Sequence, residues 1–62
     1  MTPKQARLLA ELTQSGMATL LGLHRATYID KEQDPGRFTV MEANQFRAAT
    51  GTTLIEVFGE KR

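Results

Sequence analysis

Cysteine is absent from the chain, which excludes disulfide cross-links, a thiolate nucleophile and any thiolate-held zinc or iron–sulfur centre. A single histidine, His24, is too few for a multi-histidine metal site. No metal, cofactor or catalytic centre is expected. Glycine-rich phosphate loops are missing, and no Ser or Thr is arranged with a histidine base. The neighbouring acids Asp30, Glu32 and Asp34 lack the spacing of a calcium loop. No apolar run approaches the roughly 20 residues needed to cross a bilayer. The start, Met1-Thr2-Pro3-Lys4-Gln5, carries no signal-peptide core, which predicts a cytoplasmic chain. Charge of one sign is lacking too. Eight Lys and Arg against seven Asp and Glu leave a net charge of +1, so affinity for a polyanion must come from where the charges sit.

What is present is 62 residues with 40% hydrophobic and 24% charged content, the composition of one small globular domain over residues 1–62. A chain this short without staples has to pack regular elements well. Helix start signals divide it. Thr2-Pro3-Lys4-Gln5 combines a Thr cap, Pro at the first helical position and Gln at the third, predicting a helix from Pro3 to Glu11 with Leu8 and Leu12 on its inner side. Thr13 opens a second helix at Gln14, with Met17, Ala18 and Leu21 facing inward and Gly22 ending it. Gly16 within it costs roughly 1 kcal/mol relative to Ala. His24 to Glu32 forms a third, ended by the turn signal Asp34-Pro35-Gly36. Two further capping boxes, Thr39-Val40-Met41-Glu42 and Thr53-Leu54-Ile55-Glu56, open helices over Val40–Thr50 and Leu54–Phe58. Val40, Ala43, Phe46 and Ala49 are the expected inner stripe of the fourth, and Gly51 and Gly59 close the last two. Residues from about Gly59 through Glu60-Lys61-Arg62 read as a tail. The expected fold is an all-α bundle of four to five short helices.

Between Gln14 and Glu32 two short helices follow each other through a turn at Gly22, the spacing of a helix-turn-helix. Leu12-Thr13-Gln14, Met17-Ala18, Leu21-Gly22-Leu23, Arg25-Ala26-Thr27-Tyr28 and Glu32 resemble the Cro and lambda-repressor family of regulators. Thr39 to Gly51 is similar to that family's fourth helix, and Thr53-Leu54-Ile55-Glu56-Val57-Phe58 to its closing helix, so the resemblance covers roughly residues 5 to 58. It departs in three places. His24 stands where Ser or Thr usually caps the third helix, Gly16 where a helix former is usual, and Lys31 where an apolar residue is usual. The Lys31 stem can cover the apolar surface while its ammonium reaches water.

The resemblance implies a sequence-specific regulator of double-stranded DNA, a repressor of phage or mobile-element type without a small-molecule effector pocket. A helix about 10 Å wide fits the major groove, which places Arg25, Ala26, Ile29 and Asp30 at base edges. Arg25 matches the paired acceptors of guanine, and Ala26 and Ile29 match a thymine methyl. Asp30 accepts from a cytosine amino group, holds Arg25, or pairs locally and serves only solubility. Gln14 at a helix start, His24, Thr27 and Arg37 are the expected phosphate contacts. Arg37 as a solvated loop charge is the plainer reading. Arg7 and Glu32 match an ion pair joining the first and third helices in this family. The family's two-fold pairing on palindromic sites implies a homodimer. Leu54, Ile55, Val57 and Phe58 form its interface or else complete the core. The alternative function is a protein-binding module on the same scaffold, its partner a repressor, a toxin or a host enzyme.

Overall fold

Threonine caps start four of the five α-helices among the described residues. The computed structural model describes residues 1–59 and contains α1 (Pro3–Leu9), α2 (Gln14–Leu21), α3 (Arg25–Gln33), a 3₁₀ turn at Pro35–Arg37, α4 (Val40–Thr50) and α5 (Leu54–Phe58). The expected tail residues Glu60 to Arg62 lie outside the described residues. Thr2, Thr39 and Thr53 each accept from the backbone N–H three positions on. The Gln or Glu there returns a bond to the cap's own N–H, so each box satisfies two helix-end donors. Thr13 caps α2 through the Gly16 N–H. His24 precedes α3 without a side-chain cap bond.

Three helices end in the same hydrogen-bonded turn, and its left-handed residue differs among them. Gly22 and Gly51, at φ 73° and 72°, occupy that position after α2 and α4. After α1 it is Glu11, at φ 60°. Leu12 N–H donates to the Arg7 carbonyl at 3.1 Å and Glu11 N–H to that of Leu8 at 3.0 Å, which closes the helix two residues before the expected Glu11. This corrects the first helix. Leu12, now in the turn, folds back onto the core, whereas Leu8 is 55% exposed. The buried face of α1 is Pro3, Ala6 and Arg7.

The core consists of Ala6, Met17, Ala18, Leu21, Tyr28, Phe46 and Val57, with Leu12, Leu23, Phe38 and Phe58 packed against it. Phe38, from the loop before α4, plugs the space between helices: its ring centre lies 6.2 Å from Tyr28, 5.8 Å from Phe46 and 5.2 Å from Phe58. The expected stripe on α4 needs correction. Val40 lies six residues before Phe46, about 600° of helical turn, and so faces a different way and is exposed. The inner face instead passes through Ala43, Phe46 and Thr50, and Ala49 is exposed. α2 packs on both α3 and α4, and α1 closes against α4 and α5. No helix among the described residues is long and apolar enough to cross a membrane.

Candidate functional site

Three ion pairs fix α3 and the loop behind it, and they differ in burial. The innermost centres on Glu32 near the end of α3. One carboxylate oxygen accepts from Arg7 Nε at 2.6 Å and Tyr28 Oη at 2.7 Å; the other accepts from Arg7 Nη2 at 3.3 Å and Gln14 Nε2 at 3.0 Å. Arg7 Nη1 also donates to the Leu12 carbonyl at 2.9 Å, so the turn at Glu11 is part of the same network. One carboxylate thereby joins α1, α2 and α3, and no buried side-chain nitrogen or oxygen among the described residues lacks a partner. Burial alone would raise the Glu32 carboxyl. The bonds from Arg7, Tyr28 and Gln14 outweigh it and hold the group below the ordinary carboxylate range. Bonding to Glu32 raises the Arg7 guanidinium, and burial followed by the bond to Glu32 raises the Tyr28 hydroxyl. The Gln14 side chain, expected on a phosphate, is turned inward instead, where its Nε2 donates to the second Glu32 oxygen beside Arg7.

The middle pair joins α3 to α4. Lys31 Nζ donates to Glu42 Oε1 at 2.8 Å and to the Arg37 carbonyl at 3.2 Å, with both side chains about 15% exposed. The ammonium of Lys31, expected to reach water, is instead held in this pair. Glu42 accepts it while also accepting from the Thr39 N–H of its capping box. Burial would raise this carboxyl as well, and the bonds from Lys31 and Thr39 lower it overall.

The outermost pair lies on the outward face of α3. Arg25, Ala26, Thr27 and Asp30 are exposed there, Ile29 is half-buried, and His24 is exposed at the helix start. Tyr28 is fully buried on the opposite side. Asp30 meets Arg37 across the turn, Oδ2 to Nη1 at 3.1 Å, with both side chains more than half exposed. Its partner is therefore Arg37 and not Arg25. Arg25 has no ion pair among the described residues. Asp30 and Glu32 point into different surroundings, and no group of acids and histidine among the described residues is placed to hold a metal ion.

Comparison with family models, curated proteins and solved structures finds no match to the chain.

The residues expected at a dimer interface divide. Val57 is buried in the core, which removes it from any interface, and Phe58 packs on the aromatic cluster. Leu54 is half-buried, and Ile55 is 77% exposed. A shallow groove beside Ile55 is lined by Val40, Ala43, Leu54 and Phe58, and Met41 on the adjoining turn is 70% exposed. The bond from the Tyr28 hydroxyl to Glu32 is not among the sequence expectations. The signal was available, since Tyr28 and Glu32 stand four residues apart on one helix face.

Proposed function

We propose that the chain is a sequence-specific DNA-binding regulator, a repressor that lays the outward face of α3 into the major groove. The observation that supports this most is the division of α3 itself. Its inner side is held by Tyr28, Glu32 and Lys31, while Ala26 and Asp30 on the opposite side and Arg25 and Thr27 in the first turn are exposed. A reading element needs that combination, because base contacts demand side chains held on a rigid support. Arg25, with no competing ion pair, is the guanine reader, and Ala26 with the exposed part of Ile29 meets thymine methyls. His24 and Thr27 flank this face and contact phosphates, and Arg37 stands beside it in its pair with Asp30. Gln14 contributes through the backbone N–H groups at the start of α2.

The resemblance to phage and mobile-element repressors extends the proposal to a cytoplasmic protein of a bacterial or phage-infected cell. It acts as a pair of copies. The domain is 28 Å in its longest dimension, whereas successive major grooves on one side of DNA are about 34 Å apart, so one copy engages a single half-site. Val40, Met41 and Ile55 supply the apolar surface for a second copy.

Titration against a mixed-sequence duplex at two salt concentrations tests the proposal. Binding that weakens steeply with salt is expected, and its absence at low salt would overturn the reading. The second reading, a protein partner, is favoured by the mutual neutralisation of Asp30 and Arg37 on the same face.

A further inference from the structure

Asp30 stands one helical turn after Ala26, among the side chains assigned to DNA, where a carboxylate opposes a polyanion. Its partner Arg37 is held unusually well at the backbone and loosely at the side chain. Lys31 Nζ grips the Arg37 carbonyl, the Arg37 N–H donates to the Asp34 carbonyl at 2.9 Å, and the next residue, Phe38, is locked between three aromatic rings. The main chain at Arg37 is therefore fixed, and only the guanidinium can change partner. An exposed pair of this kind is weak, so a phosphate competes for the same guanidinium on nearly equal terms. If Arg37 moves to a phosphate, it leaves Asp30 uncompensated beside the duplex.

Resting on the DNA reading, we propose that Asp30 limits affinity by withholding Arg37 from the phosphate backbone. A phosphate contact carries no sequence information, so this brake lowers affinity for all sequences about equally and leaves the base contacts of Arg25 intact. Asp30 thus sets affinity through Arg37, while sequence preference stays with Arg25.

A double-mutant cycle tests this. Wild type, Asp30→Asn, Arg37→Gln and the double variant are titrated against one mixed-sequence duplex over a range of salt, with circular dichroism showing that each is equally helical. Asp30→Asn is expected to tighten binding about two- to fivefold, the worth of one exposed pair. Its salt dependence should steepen by about 0.9 in log–log slope per chain, one added phosphate contact. Arg37→Gln should weaken binding more in the Asp30→Asn background than in wild type, because only there is the guanidinium on DNA. Equal effects in both backgrounds would overturn the proposal and leave Asp30 as simple repulsion. Weaker binding by Asp30→Asn would overturn it in favour of a direct base contact. If no chain binds in a salt-dependent way, the DNA reading itself fails, which is distinguishable from wild type binding without the expected coupling.

Discussion

Arg7–Glu32 and Arg37–Asp30 are chemically alike, an arginine facing a carboxylate on α3, yet one is buried and the other exposed. The first has N to O at 2.6 Å with side chains 7% and 5% exposed, and every oxygen of Glu32 is filled by donors from three helices. Removing either partner strands a buried charge, so this pair holds the fold and is closed to any ligand. The second has N to O at 3.1 Å with side chains 59% and 55% exposed. Water and salt screen it, and either partner can be drawn away by another charge. Lys31–Glu42 lies between them in burial and ties down the loop that carries Arg37. Burial, more than the residue types, separates an ion pair that builds α3's support from one that remains available on its exposed side.

The largest expected break of this contrast is Glu32→Ala. It strands Arg7, Tyr28 and Gln14 together and should cost about 3 to 5 kcal/mol. For 62 residues the whole stability is on the order of 3 to 9 kcal/mol, so thermal denaturation should show the variant largely unfolded or with a much lower Tm. An unchanged Tm would remove the network from the account. Acid probes the same carboxylates. Both Glu32 and Glu42 are held below their ordinary value of 4.5, so the unfolded chain takes up protons first. Their contribution is full above pH 4.5 and is lost as pH falls from there through the lower folded values. Melting followed from neutral to acidic pH should decline in that window.

Lys31→Met keeps the covering stem and removes the ammonium. The expected loss is about 1 to 2 kcal/mol, between those of the two arginine pairs, read by denaturant unfolding. Glu11→Gly sharpens the comparison from the other side, because the left-handed turn at Glu11 brings the Leu12 carbonyl to Arg7. Relieving that strained position should stabilise the domain by about 0.5 to 1 kcal/mol. Smallest of all, Arg37→Gln should change stability by under about 0.5 kcal/mol, even while it alters binding. A loss as large as that of Lys31→Met would mean that the outer pair is structural after all.

Much of the architecture was legible because its signals are local. Thr2, Thr13, Thr39 and Thr53 mark helix starts through bonds to residues three positions on, and Gly22 and Gly51 mark ends through a backbone conformation that glycine favours. The end of α1 was not legible, since nothing about glutamate announces a positive φ. The fates of Leu8, Val40 and Ala49 depended on which of two neighbouring helix faces meets the core, and packing decides that. At the candidate site, Arg25, seven residues before buried Glu32 and on its side of the helix, is exposed because it opens α3, whereas the placing of Ala26 and Asp30 opposite Tyr28 followed from helical periodicity. The inward turn of Gln14, the capture of Lys31 by Glu42 and the pairing of Asp30 with Arg37 did not. Each joins residues 7 to 18 positions apart or crosses between elements, so it depends on how the helices dock.

Selection of binding sites from a random duplex pool, run in parallel with wild type and Arg25→Ala, tests most directly the claim that the exposed face of α3 reads DNA. The account predicts a palindrome from wild type and loss of preference at one base pair of each half-site from the variant, at a cost of roughly 1 to 3 kcal/mol in discrimination. No enriched sequence from wild type, or an identical palindrome from Arg25→Ala, would contradict it.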